Sequence, residues 1–303
     1  MNNISLGQFN TPLFRLFNLE KYLGWISEIW AKAEYMNPKG SFKDRGSVVE
    51  IKEAIRLKKK GIICASTGNM AASLSAYAAK VRLKCLIIVP DNTPSNKLKQ
   101  ALICGARLVK IKGNYDQCVL NAKELSIKDN LLLCGDYELR RIGQRPIGRE
   151  LAESGIDLDA FVVPVGNGTL GCAIIEGFVE KNKWPRFIGV QGKGSDPLTE
   201  AWEKKQETFK AIKKPKTIAS AMKVGNPLDG NLTLSWVRET NGMIVSVDDE
   251  EILDSQKLLA QKEGIYVETS AAATVSALLT NKIDKKLSVV LILTGNGLKE
   301  NDV

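Results

Sequence analysis

Gly61-Ile-Ile-Cys-Ala-Ser-Thr-Gly-Asn-Met-Ala-Ala-Ser73 sets an apolar run against four small polar residues, and then opens an Ala-rich stretch that continues to Lys80. The run predicts a strand buried on both faces, residues 66–69 a turn, and residues 70–80 a helix, which is the βα step of a parallel sheet. The pattern repeats outward. Strands are expected at 62–65, 83–89, 107–111 and 130–134, with helices at 70–80, 95–104 and 115–126. A second alternation follows, with a helix at 145–154, strand 160–165, helix 170–181 and strand 187–191. It resumes with strand 243–247, helices 249–263 and 269–281, and strand 287–293, beyond a Lys-rich stretch. The expected fold is α/β, with two open, mostly parallel sheets covered by helices. The polar, Arg-rich passage 137–144 separates the two alternations.

The 303 residues suit about two domains. Histidine is absent, which removes every Ser-His-Asp, Cys-His and His-ligated metal mechanism and leaves acid–base work to Lys, Asp, Glu, Tyr, Cys or a cofactor. No metal site is expected. The net charge of +9 suits an anionic substrate, cofactor or polyanion without selecting among them. Its densest runs, 56–60 and 213–216, carry no interleaved aromatics, so they read as solvated surface and not as a nucleic-acid interface. Six cysteines without a C-x-x-C pair read as reduced core thiols. The first residues resemble no secretory leader and no run approaches 18 apolar residues, so a cytoplasmic protein without membrane contact is expected.

Ligands of parallel α/β sheets sit at the carboxyl ends of strands, where helix N-termini offer unpaired N–H groups. Three junctions here have that form. Ser66-Thr-Gly-Asn69 suits a carboxylate, Gly166-Asn-Gly-Thr-Leu-Gly171 suits a phosphate, and Thr294-Gly-Asn-Gly297 places a hydroxyl at a strand end. Residues 166–171 also satisfy G-x-G-x-x-G. No acid stands at the end of the next strand, Ile188-Gly-Val-Gln191, and a complete α/β block precedes the motif, so dinucleotide binding is disfavoured.

Asn37-Pro-Lys-Gly-Ser-Phe-Lys-Asp-Arg-Gly46 is the sharpest feature. A turn of Asn, Pro and Gly delivers Lys43 to the start of a helix expected at 47–57. An amine beside a helix N-terminus and other cations has a reason to lose its proton, as a Schiff-base lysine must.

This stretch resembles the pyridoxal-phosphate lysine motif of the fold-type II family, and its wording is most similar to the threonine synthase family. The resemblance extends, in order, to residues 5–13, 66–73, 97–101, 105–118, 143–145, 163–168, 218–227, 263–270 and 293–299. It implies a fold like that of the tryptophan synthase β chain, with a small domain at 46–140 and a large one made of 1–45 with 141–303. It also implies a pyridoxal 5'-phosphate site in the cleft between them and a homodimer. Carried over, Lys43 is the Schiff-base and proton-shuttling lysine, and Asn69 holds the cofactor's phenolic oxygen. Gly166, Asn167, Gly168 and Thr169 cradle its phosphate, while Thr294 meets the pyridine nitrogen. Ser66, Thr67 and Met70 bind the substrate carboxylate, and Lys97, Arg140, Gln144 and Arg145 are candidate contacts to a substrate anion.

The expected reaction converts O-phosphohomoserine and water to threonine and phosphate. Three departures bear on it. Cys134-Gly-Asp-Tyr137 stands where the family carries Asn-Ser-x-Asn, Asn296 stands for a usual His, and Leu170 stands for a common Asn. Asp136 has to point away if phosphate is to bind. The alternatives are a cysteate synthase-like or threonine dehydratase activity, or a catalytically silent anion-binding homologue.

Overall fold

In the computed structural model the described residues are 4–113 and 115–300, without the side chains of 95–97 and 116. The chain opens with strand β1 (Leu13–Arg15), helix α1 (Phe17–Leu23) and β2 (Ile29–Lys32). Next come α2 (Lys43–Arg56), β3 (Gly61–Ala65), α3 (Asn69–Lys80), β4 (Lys84–Pro90), α4 (Ser95–Ile103), β5 (Arg107–Ile111), α5 (Tyr115–Lys128), β6 (Leu131–Leu133) and α6 (Glu138–Gln144). The remainder is α7 (Pro146–Ala152), β7 (Ala160–Pro164), α8 (Thr169–Val179), β8 (Arg186–Gly192), α9 (Pro197–Glu203), α10 (Gly230–Glu239), β9 (Met243–Val247), α11 (Asp249–Glu263), α12 (Thr269–Leu279) and β10 (Val289–Ile292).

Two units result. The first holds residues up to Phe9 together with Asn37–Gly143, and the second holds Asn10–Met36 and the chain from Gln144. Residues 37–45, Lys43 among them, travel with the first unit because α2 starts at Lys43 and packs on α3.

The first unit has a four-stranded parallel sheet in the order β5-β4-β3-β6. Its central strand β3 is buried on both faces, Ile62, Ile63 and Cys64 completely. That is why its sequence is a continuous apolar run and not an alternation. Removing a side chain such as Ile62 or Ile63 from water is worth about 1.5–3 kcal/mol each.

The second unit has a six-stranded sheet in the order β1-β2-β10-β7-β8-β9, parallel throughout except for the β1–β2 pair. α12 is Ala-rich and buried along nearly its whole length, packed on β7, β8 and β9. α11 is fixed by a capping box, in which Asp248 accepts from Glu251 N at 2.9 Å and Glu251 accepts from Asp248 N at 2.9 Å. Among the described residues no helix is long and apolar enough to cross a membrane.

Three departures from the sequence reading have local causes. α2 begins four residues early because the Ser47 hydroxyl bonds back to the Lys43 carbonyl at 3.1 Å and so does not cap the helix. The passage 137–144 contains the helix α6, whose buried face carries Arg140 and therefore shows no apolar stripe. β1, α1 and β2, like α9 and α10, are short or lie in the Lys-rich stretch, where no period stands out.

Candidate active site

In the first unit, β3 and β6 are parallel neighbours with Ile63 opposite Leu133, so the chain leaves both at the same carboxyl edge of the sheet. From β3 comes the turn Ser66-Thr-Gly-Asn69, and from β6 comes Cys134-Gly-Asp136, held to β3 by Cys134 N donating to Ile63 O at 2.8 Å. Ser66 Oγ accepts from Gly68 N at 3.3 Å. Ser66, Thr67 and Asn69 are half-buried and Met70 is buried, with Asn69 and Met70 opening α3.

Lys43 is the first residue of α2. The turn before it closes through Gly40 N to Asn37 O at 2.7 Å, and Gly40 takes a φ of +73° that favours glycine. Lys39 N donates to Asp44 Oδ2 at 2.7 Å and fastens the turn to the helix. Lys43 Nζ donates to Asp136 Oδ1 at 2.7 Å and lies 4.9 Å from the centre of the Phe42 ring. Asp136 therefore faces Lys43. The condition attached to phosphate binding, that Asp136 point away, is not met at Lys43.

The expectation for Arg140 is corrected. It is wholly buried, with Nε donating to Gly135 O at 3.2 Å, Nη1 to Lys43 O at 3.0 Å, and Nη2 to Glu50. A guanidinium so committed is part of the scaffold and not a contact for a substrate anion. Burial pushes the Glu50 carboxyl up, to about 7, against the opposing pull of Arg140. Burial likewise raises the Cys64 and Cys134 thiols. Lys97 lies on α4, and its side chain is outside the described residues.

In the second unit the corresponding edge is formed by β7 and β10, paired at Leu291 and Val162. β7 runs into Gly166-Asn-Gly168, and α8 begins at Thr169. Gly168 has φ +87°, and a Cβ there would lie 2.2 Å from Thr233 Oγ1. At Gly166 a Cβ would lie 2.6 Å from Ala221 O. Asn167 is fixed by its carbonyl accepting from Asp229 N at 2.8 Å and its Oδ1 accepting from Leu228 N at 3.3 Å. The Thr169 hydroxyl is buried without a hydrogen-bond partner.

β10 runs into Thr294, which is buried and donates to Glu268 Oε1 at 3.3 Å. Gln144 is fully buried, and neither of its amide atoms has a hydrogen-bond partner. Arg145 is paired with Glu176 at 2.6 Å and with Glu180 at 3.6 Å, so its charge is already answered.

The first unit thus gathers Lys43, Ser66, Thr67, Asn69 and Met70, and the second Gly166, Asn167, Gly168, Thr169 and Thr294, at carboxyl sheet edges, whereas Arg140 and Arg145 are committed to carboxylates. Sequence reasoning missed Glu50 and Glu268 altogether. Glu50 lies on the buried side of α2 together with Asp44, Arg45 and Ser47, so a charge on that side gave no distinct signal.

Comparison with known proteins agrees with this organisation. A family model described as pyridoxal-phosphate dependent enzyme matches residues 4–295. Threonine synthase of Methanocaldococcus jannaschii is 38% identical over 99% of this chain and 77% of its own length. Threonine synthase of a Bacillus species is 35% identical over 99% of this chain and 86% of its own. Among solved structures, maize serine racemase superposes with a TM-score of 0.84 at 22% identity, covering 95% of this chain and 88% of that one. At that identity the likeness is one of fold.

Proposed function

We propose that this chain, which belongs to the pyridoxal-phosphate dependent enzyme family and is a pyridoxal-phosphate-dependent lyase, converts O-phosphohomoserine and water to threonine and phosphate, as a cytoplasmic homodimer. The observation that carries the reading is Lys43 at the head of α2, on the same sheet edge as the Ser66–Met70 turn. Threonine synthase is the activity named for the relatives that span this chain almost end to end.

The residues present fit the cofactor. Gly166 and Gly168 let the loop pack against Ala221 and Thr233 where a Cβ would clash, Gly168 takes a φ of +87°, and the Thr169 hydroxyl is buried at the N-terminus of α8 with no partner of its own. These features suit a phosphate, which the helix N-terminus also favours. Gly166, Asn167, Gly168 and Thr169 would hold that phosphate, Lys43 would carry the Schiff base, Asn69 would meet the phenolic oxygen and Thr294 the pyridine nitrogen. Thr294 has a single hydroxyl proton, which it gives to Glu268. An accepting ring nitrogen has to compete for that proton, and the hydroxyl cannot make the ring cationic. When bound, the cofactor supplies an electron sink for breaking bonds next to the amino group.

Ser66, Thr67 and the Met70 amide bind and orient the substrate carboxylate. Lys43 Nζ takes protons from Cα and Cβ as phosphate leaves Cγ. Protons return to Cγ and Cα while water adds its hydroxyl at Cβ, which balances the conversion. With no histidine in the chain, the same amine acts as acid and as base.

A second reading, elimination from serine or threonine, is favoured by one observation. Asp136 faces Lys43 while Arg140 and Arg145 are committed to carboxylates, which is a poor setting for a dianionic phosphate. The test measures phosphate and threonine from O-phosphohomoserine beside keto acid from serine and threonine and sulfite-dependent cysteate from phosphoserine. Phosphate and threonine in equal amounts support the first reading. Keto acid or cysteate without threonine replaces it.

A further inference from the structure

Asp136 stands 93 residues from Lys43 in sequence, yet its Oδ1 lies 2.7 Å from Lys43 Nζ, with the two side chains only 15% and 16% exposed. Its position is enforced by the residue before it. Gly135 N donates to Glu50 Oε1 at 3.0 Å and Gly135 O accepts from Arg140 Nε at 3.2 Å, so the peptide is tied at both polar groups to α2 and α6. Arg140 is in turn bonded to the carbonyl of Lys43 itself. At Gly46 a Cβ would lie 2.6 Å from Arg140 Cγ, so the missing side chain there is what admits the guanidinium.

From this geometry we propose that Asp136 is the counter-ion and proton acceptor of Lys43, a positioning residue that holds the amine as an ammonium in the cofactor-free protein and takes a proton as the amine becomes a nucleophile. The inference rests on reading Lys43 as the Schiff-base lysine. In the step, an N–H bond of the ammonium breaks and leaves its electron pair on Nζ. An O–H bond forms on the Asp136 carboxylate, so two opposite charges become two neutral groups and no oxidant or reductant is needed.

The groups around the pair tune it in opposite directions. Arg140 Nε, 4.0 Å from Asp136 Oδ1, favours the carboxylate, and the Phe42 ring favours the ammonium. The negative charge of Glu50 and, when ionised, of Tyr137 acts against the carboxylate.

The experiment labels cofactor-free protein with limiting acetic anhydride at about pH 8, where an ion-paired ammonium is protected and a neutral amine reacts. Mass spectrometry compares the label on Lys43 with that on the exposed Lys58. Asp136→Asn is expected to raise the Lys43 to Lys58 ratio about tenfold, the effect of losing a partly buried ion pair, and Asp136→Glu to return it toward the wild-type value. An unchanged or lowered ratio in folded Asp136→Asn protein overturns the proposal. If that variant does not fold, Asp136→Ser is read by the same criteria. A merely structural Asp136 would lower the melting temperature without moving the ratio. Treating the wild-type protein with pyridoxal phosphate and borohydride separates the two claims. Label fixed on Lys43 sustains the lysine reading whatever Asp136 does, and label fixed elsewhere defeats that reading on its own.

Discussion

Arg140 and Glu50 form an ion pair inside the first unit, the guanidinium wholly buried and the carboxylate 2% exposed. Around it, three more polar groups find partners, since Arg140 also donates to the carbonyls of Lys43 and Gly135 and Glu50 accepts from the Gly135 amide. A buried pair is stabilising only when it is satisfied in this way. Here the pair joins the start of α2, the loop after β6 and α6, the three segments that surround Lys43.

Arg140→Ala is therefore expected to destabilise the protein by about 3–5 kcal/mol, because it strands the Glu50 carboxylate away from water. Denaturant unfolding measures this, and Arg140→Ala with Glu50→Gln should recover part of the loss. Unchanged stability with a selective loss of phosphohomoserine turnover would return Arg140 to the substrate site.

Glu50 also sets a pH dependence. Its carboxyl is raised to about 7 in the folded protein, chiefly by burial, from an ordinary 4.5. Between those values the folded chain keeps a proton that the unfolded chain has lost, so the contribution of this group to stability falls as pH rises through that window and is level above it. The unfolding free energy of wild type minus that of Glu50→Gln should therefore decrease from about pH 5 to about pH 8. A difference that does not change with pH would contradict the assignment.

Gly168→Ala tests the phosphate cradle. With φ at +87° and Thr233 Oγ1 2.2 Å from the added Cβ, the loop has to shift. Affinity for pyridoxal phosphate, read by absorbance titration, is expected to fall about tenfold or more, as for a lost charge-assisted hydrogen bond. Affinity for pyridoxal, which lacks the phosphate, should change much less. Equal losses for both would remove the cradle from the phosphate.

The thiols should react unequally. Cys104 is partly exposed, whereas the other five cysteines are buried. Burial raises the thiols of Cys64, Cys118, Cys134 and, to about 11, Cys85. Iodoacetamide followed by peptide mapping should find Cys104 modified first, because the thiolate is the reactive form. Early modification of Cys64 or Cys134 would show that the Glu50 region opens in solution.

What the sequence revealed follows from the range of the forces involved. The strands at 107–111 and 243–247 were legible to the residue, since a short segment rich in Val, Ile and Leu between helical patterns has few other readings. The turns after β3, β7 and β10 were legible as small polar residues at strand ends. β1, three residues long and half-buried, carries too little pattern to read. The pairs Lys43–Asp136 and Arg140–Glu50 close across 93 and 90 residues, and no local rule predicts which charges meet at that separation. For the same reason Arg140 looked free for a substrate anion, and nothing in the sequence paired Asp136 with Lys43.

Reduction of the cofactor-loaded protein with borohydride, followed by peptide mapping, tests the central claim most directly, namely that the chemistry of this chain runs through Lys43. The pyridoxyl group should be found on the peptide containing Asn37–Gly46, on the side chain of Lys43, and Lys43→Ala should retain none of it. A label on another lysine, or wild-type protein that takes none with added pyridoxal phosphate, would contradict the account.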